Sequence, residues 1–365
     1  MTVMKKTEKR INNRKIPTIL GLIVLGFALI TNQGCKKDDA PASGYQQVNV
    51  VADTVGYGAS VIDVNLSNAW GIAIGPTGAL WISSNHKGLT TIYNRDGATL
   101  LSPISIPFNG LAKGGSPSGV VYNSSTSFVI PANNEISKFI YADENGVINA
   151  WSSGTNAYTV VDNSSSLAVY KGIAIANADT AMYIYVANFR GKAVEVYNRS
   201  FQKVIMPFID ATIPATFAPF NIQNIGGNLY VTYAKLKAPD LMDDESGVGN
   251  GYVDVFSPKG VLLKRFASQG TLNSPWGITQ APAGFGLGSN IILVGNFGDG
   301  KINIYDTSGM YKGQLLSGTG TMIIEGLWAI QFPQNGQPTG DQNQLFFTAG
   351  PASETHGLFG YVKAR

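Results

Sequence analysis

After residue 45 the apolar positions come in short runs broken by turn residues, and no long stretch repeats at helical spacing. Runs of this kind predict β-strands. The first recurrent run reads Ala69-Trp70-Gly71-Ile72-Ala73, Pro117-Ser118-Gly119-Val120-Val121 and Tyr170-Lys171-Gly172-Ile173-Ala174. It returns as Pro219-Phe220-Asn221-Ile222, Pro275-Trp276-Gly277-Ile278-Thr279 and Leu327-Trp328-Ala329-Ile330. The equivalent positions Gly71, Gly119, Gly172, Asn221, Gly277 and Ala329 are 48, 53, 49, 56 and 52 residues apart. A period near 50 predicts a propeller blade of four strands. The small residue suits an innermost strand, where neighbouring strands crowd round a channel.

A second strand is expected at Leu80–Asn85, Phe128–Asn133, Tyr185–Phe189, Leu229–Tyr233, Leu293–Phe297 and Leu345–Ala349. A third follows at Thr91–Asn94, Lys138–Tyr141, Val194–Asn198, Val253–Phe256, Ile302–Asp306 and Leu358–Tyr361. Turns such as Arg95-Asp96-Gly97, Glu144-Asn145-Gly146, Pro258-Lys259-Gly260 and Thr307-Ser308-Gly309 then favour a hairpin into a fourth strand. The last unit stops after its third strand, so Gln46–Val51 is expected to supply the missing one and close the ring. The predicted fold is all-β, a six-bladed β-propeller over 45–365.

Composition agrees: 43 Gly, 16 Tyr and 17 Phe, with 13 % charged residues, suit many short strands and tight turns. The formal charge of +3 is local. Residues 1–34 carry six of the 26 Lys and Arg and one of the 23 Asp and Glu, which leaves 20 basic and 22 acidic side chains, a net −2. Nucleic-acid binding loses its electrostatic basis. Lys5, Lys6, Lys9, Arg10, Arg14 and Lys15 precede an apolar run from Ile16 to Ile30, the pattern of a secretory signal over 1–34. About 15 apolar residues are short for a membrane span of roughly 20.

Thr31-Asn32-Gln33-Gly34-Cys35 ends that run with the only cysteine of the chain. It resembles the lipobox of bacterial lipoproteins, although Asn32 stands where a leucine is usual. The resemblance implies a lipid anchor on Cys35. The following Lys36-Lys37-Asp38-Asp39 resembles a tag for the outer face of the outer membrane. The chain is therefore expected to be an outer-membrane lipoprotein, surface-exposed, on a tether over 35–44. Two or more acyl chains suffice for stable anchoring.

The strings Val169-Tyr170-Lys171-Gly172, Ala187-Asn188-Phe189-Arg190, Ala218-Pro219-Phe220-Asn221 and Gly295-Asn296-Phe297-Gly298-Asp299-Gly300 resemble an uncharacterised bacterial family of secreted, NHL-repeat-like propellers. That resemblance implies the fold and no activity. Several motifs fail on context. Gly295–Lys301 nearly spells a P-loop, but Ile302 stands where Ser or Thr is required, and a strand pattern follows. Gly247–Gly251 lacks the strand–turn–helix setting of a dinucleotide site. Asp243-Asp244-Glu245 lacks the alternation of a calcium loop.

Candidate chemistry then follows from placement. Second-to-third loops and the entries to inner strands share one face of a propeller. Asn85, Asn133, Asn188 and Asn296 are expected there, with Trp70, Trp276 and Trp328. Both histidines, His86 and His356, fall in such loops of units that become neighbours on closure. Lys171, Arg190, Lys235, Asp299, Glu325 and Glu354 map nearby, and loop 234–250 is long enough to cover the mouth.

Two function classes fit. One is a monomeric binding propeller for a small molecule, glycan or envelope protein. The other is a metal-dependent hydrolase or lyase of the six-bladed lactonase or NHL-like lyase type. There calcium or magnesium would be held by asparagine and carboxylate oxygens, with His86 or His356 as general base or acid. Strand-end asparagines are as readily turn residues, and inner-strand tryptophans as readily packing.

Overall fold

The computed structural model describes residues 44–333 and 338–365. Contacts divide the chain into Met1–Asp39 and Ala40–Arg365, and every described residue belongs to the second unit. The signal segment 1–34 and Cys35 lie outside the described residues.

Five four-stranded antiparallel sheets follow one another along the chain. Blade I comprises Ala69–Ile74, Leu80–Ser84, Leu89–Tyr93 and Thr99–Ser105. Blade II comprises Pro117–Tyr122, Phe139–Asp143, Val147–Trp151 and Tyr158–Asp162. Blade III comprises Tyr170–Ala178, Ala181–Asn188, Ala193–Tyr197 and Lys203–Val204. Blade IV comprises Phe217–Ile225, Asn228–Lys235, Gly251–Phe256 and Leu262–Ser268. Blade V comprises Pro275–Ala281, Ile291–Asn296, Ile302–Asp306 and Tyr311–Gln314.

The expectation of six like blades is corrected here, because only five four-stranded blades form. The remainder of the ring is a seven-stranded sheet of different construction. Leu327–Gln331, Leu345–Ala349 and Leu358–Ala364 form its inner part, and Tyr45–Ala52 pairs antiparallel with Leu358–Ala364. The N-terminal strand is long and would leave a bare outer edge. Leu316–Ser317 and Val61–Ile62 add to that edge in parallel, and Gly320–Thr321 extends it. Covering an edge in this way removes a template for unwanted pairing.

A second correction concerns blade II. Phe128–Asn133 is not its second strand, and Lys138–Tyr141 does not begin its third. Phe139–Asp143 pairs directly with Pro117–Tyr122, and 123–138 is an excursion at the opposite end of the sheet. Phe128 takes a left-handed φ of 64°, and Pro131 cannot donate to a ladder. Phe128 and Ile130 are apolar because they are buried against Ile140 and Tyr170, not because they alternate in a sheet. Asn133 therefore lies away from the expected face, donating to Ser152 Oγ at 3.0 Å.

The inner strands pack in sequence order, and Leu327–Gln331 returns against Ala69–Ile74. The glycines permit this approach. A Cβ on Gly71 would lie 2.5 Å from the Ser118 carbonyl oxygen, and one on Gly277 would lie 2.7 Å from that of Trp328. Every pairing of an inner strand with its neighbour shifts register around this position, between Ala69 and Ile72, Pro117 and Val120, Tyr170 and Ile173, Pro219 and Asn221, Pro275 and Ile278, and Leu327 and Ile330. Such bulges re-aim side chains. The residues just before the small position accordingly meet across the ring.

Candidate functional site

The meeting residues close the channel. Trp70 stacks on Trp328 at 3.8 Å between centroids, Trp276 sits edge-on to both, and Phe220 lies 6.0 Å from Trp328. Phe297 stacks on the other side of Trp328 at 3.8 Å. Trp70, Trp276 and Trp328 are buried. Expected as ligand platforms, they form a plug and the floor of the mouth above it. Each aromatic pair adds about 0.5–1.5 kcal/mol beyond burial alone.

Lys171 is the cation at this inner-strand level and is only 2 % exposed. Its Nζ donates to Glu144 Oε1 at 2.5 Å, lies 3.7 Å from Asp243 Oδ1, and stands 4.9 Å over the Trp70 ring. Burial alone would push the ammonium pKa down. The Glu144 charge and hydrogen bond outweigh it and raise the value above that of an ordinary lysine.

Glu144 is aimed by its own turn. Asp143 Oδ1 accepts from the Asn145 backbone and side-chain amides, and Asp143 Oδ2 accepts from Ser116 N. Burial nevertheless pushes the Asp143 carboxyl up to about 7. The other oxygen of Glu144 accepts from Asn85 Nδ2 at 2.7 Å. Asn85 opens a 3₁₀ turn, Asn85–Lys87, that ends on left-handed Gly88.

Asn68 joins this group to the closing sheet. Its Nδ2 donates to Glu354 Oε2 at 2.8 Å and lies 3.2 Å from His86 Nε2, and its Oδ1 accepts from Trp328 Nε1 at 3.1 Å. Asn68 and the successive residues Ala352, Ser353 and Glu354 all take positive φ, at 45°, 54°, 53° and 67°. Left-handed conformation costs about 1–2 kcal/mol per non-glycine residue, and such strain concentrates at functional sites. The turn is pinned by Glu354 N to Gly350 O and by Ala352 N to Glu325 Oε1. Burial pushes the Glu354 carboxyl up to about 7. The Asn68 hydrogen bond opposes the rise, the Glu144 and Asp243 charges add to it, and Lys171 opposes it.

Loop 234–250 reaches the same mouth. Leu236 and Leu241 pack into the cluster that holds Trp70 and Phe189, which brings Asp243 beside Lys171. Lys235 is spent on Glu245 at 2.6 Å.

Asn85, His86, Lys171 and Glu354 are thus brought together, over Trp70 and Trp328. Other expected members are not. Asn188 donates to Glu195 and accepts from Gly191 N within its own blade. Asn296 donates to Thr271 O and Asp299, and Asp299 pairs with Lys301. His356 Nδ1 faces Asp53 Oδ2 at 3.2 Å, so the two histidines have different side-chain partners. Arg190 makes no side-chain hydrogen bond or ion pair to the described residues. Of the asparagines expected to hold calcium or magnesium, only Asn85 stays at the mouth, where its amide donates to Glu144; Asn188 is tied within its own blade and Asn296 to Thr271 O and Asp299. Among the described residues no group of three or more His, Cys, Asp or Glu is placed to hold a metal, so the residues do not fit that group.

Sequence reasoning missed Asn68 and Glu144. Asn68 stands just before the Ala69-Trp70-Gly71 run, on the same face. Glu144 was hidden by the strand shift in blade II, and Pro131 was the signal against that assignment.

Fold and mouth together define a β-propeller closed by its N-terminal strand. No family model matches the chain. It is 34 % identical over 315 residues to "Uncharacterized protein L690" of Acanthamoeba polyphaga mimivirus, covering 82 % of this chain and 80 % of that one. It is 32 % identical over 316 residues to "Uncharacterized protein R648" of the same virus, covering 82 % and 76 %. The chain belongs to the family of these mimivirus proteins. The expected membership of a bacterial family is corrected by these viral relatives. Among solved structures, "Streptogramin B lyase structure" matches with a TM-score of 0.52 at 10 % identity, over 88 % of this chain and 97 % of that one. A protein of unknown function from Bacteroides thetaiotaomicron matches with a TM-score of 0.54 at 10 % identity, over 88 % and 76 %. At such identity these two speak for the fold alone.

Proposed function

We propose that the protein is a binding propeller that takes a small amine-bearing ligand at the mouth formed by Asn85, Glu144, Lys171, Asp243 and Glu354. One observation supports this most: three carboxylates, Glu144, Glu354 and Asp243, gather around a single buried ammonium above a plugged channel. Lys171 pairs closely with Glu144 and at 3.7 Å with Asp243, so three acidic groups face a single positive charge and Glu354 is left to an incoming cation. Charge-assisted hydrogen bonds are worth about 1.5–3 kcal/mol. The N-terminal segment, with Cys35 lipidated, would hold the propeller at a membrane surface. Equal N-terminal masses for wild type and Cys35→Ala, apart from the substitution itself, would remove the anchor from this reading.

Spermidine serves as the probe. An ammonium beside Glu354 favours its ionised form, so binding near pH 7 releases a proton and tightens as pH rises through about 7. In Glu354→Gln the affinity should fall about tenfold or more and lose that pH dependence. Calorimetry in buffers of different ionisation enthalpy reads both effects. No binding, or unchanged binding to the variant, overturns the proposal.

A second reading rests on Glu354 and His86 sharing the Asn68 amide. A carboxyl near 7 beside an imidazole is suited to moving protons at neutral pH. It predicts turnover of some bound ligand that is lost in Glu354→Gln while His86→Ala retains binding. Ligand recovered unchanged after long incubation would reject it.

A further inference from the structure

Among the described residues, the other end of the channel is open. Below the aromatic plug, two adjoining cavities of about 580 Å³ and about 560 Å³ share Gln223, Asn224 and Gln331. They lead up to a narrow space of about 20 Å³ that Gln223, Gln331 and Trp276 also line. The result is a blind funnel on the face opposite the mouth.

Its lining differs from the mouth in kind, since among the described residues no charged side chain borders either cavity. The walls mix aliphatic side chains, Ile72 and Ile175 among them, with uncharged polar ones such as Ser124 and Asn177. Tyr122 adds a half-buried ring propped on Phe139 at 5.4 Å. The Asn224 amide is spent on the fold, donating to Ile175 O and accepting from Gly227 N. Gln223 and Gln331 are half-buried, and their side-chain amides have no hydrogen-bond partner among the described residues. They stand where all three spaces meet.

We infer that this funnel is a second binding site and that it takes a neutral saccharide. An ionised ligand would lose its hydration there without gaining a countercharge. A carboxamide presents a donor and an acceptor side by side, matching the paired roles of sugar hydroxyls. The Tyr122 ring and the aliphatic wall receive the apolar face of a pyranose. A concave site with convergent polar groups fixes the orientation of a ligand, and the mixed, uncharged lining here suits one that is itself part polar and part apolar.

The test uses the full chain, labelled with ¹⁵N and titrated with cellohexaose, maltohexaose and N-acetylchitohexaose, with hexagalacturonate as the charged counterpart. At least one neutral sugar is expected to move the side-chain amide signals of Gln223 and Gln331, while hexagalacturonate leaves them in place. Gln223→Ala and Gln331→Ala should each weaken binding about five- to tenfold, the loss of a neutral hydrogen bond. If either alanine variant fails to fold, Gln→Glu at the same position, which keeps the volume and adds a charge, should weaken binding at least as much. No shift with any neutral sugar, binding unaffected by these substitutions, or equal binding of the charged sugar overturns the inference.

Discussion

Lys171 is held by one close carboxylate, Glu144, and by two ring faces, Trp70 at 4.9 Å and Phe189 at 5.9 Å, with the Asp243 carboxylate farther off than Glu144, at 3.7 Å. Replacing it with methionine keeps the volume, strands Glu144 and removes the cation over Trp70. Breaking a buried pair costs about 3 kcal/mol at the low end, and chemical denaturation should show a loss of that order. Glu354 supplies a pH test. Its folded value, about 7, lies above the ordinary 4.5, so the folded chain keeps a proton that the unfolded chain releases between those values. That contribution is complete below about pH 4.5 and is lost as pH rises through about 7. Glu354→Gln should therefore melt higher than wild type at pH 8 and at the same temperature at pH 4. Asp143, raised by burial to a similar value, adds to the same decline in wild type. Side-chain identity made Lys171 and Glu354 readable as candidates from sequence. Asn68 was not readable, because nothing local distinguishes a turn asparagine from one that joins three loops.

At the level of elements, the recurrent inner strand was legible because its glycine answers to a contact between neighbouring sheets. Gly277→Ala would press a Cβ into the Trp328 carbonyl and Ile330. Overpacking of this kind costs about 1–3 kcal/mol, and rigid backbone on the far side puts this site at the upper end. A thermal melt of the variant should fall accordingly, whereas Gly226→Ala, in an open hairpin turn, should cost only the strain of its left-handed φ. Blade II was misread because burial and strand alternation give the same apolar signature over a few residues. Phe128 and Ile130 pack inward from an irregular segment, so periodicity could not separate the two causes. That one-strand shift moved Glu144 to the wrong end of its sheet and removed it from the candidates.

On the scale of the whole molecule, order round the ring was legible from the repeat, and the size of the last sheet was not. The short strands Leu316–Ser317, Gly320–Thr321 and Val61–Ile62 carry no repeat and exist only to cover what the N-terminal strand exposes. Deleting residues 1–52 should strip Leu358–Ala364 of its outer partner, leaving it paired only with Leu345–Ala349, and give a chain that aggregates or melts well below wild type. Size-exclusion chromatography and calorimetry check this. The plug gives the ring two unlike ends, one ionic and one uncharged, made by the two ends of the same inner strands. Closure has a further consequence. Arg365 N donates to Gly44 O at 3.2 Å, so the two ends of the described chain already touch. A circular permutant that joins them through a few residues and opens at the exposed hairpin turn Gly226-Gly227 should reach the same fold, since the order of sheets around the axis is indifferent to where synthesis starts.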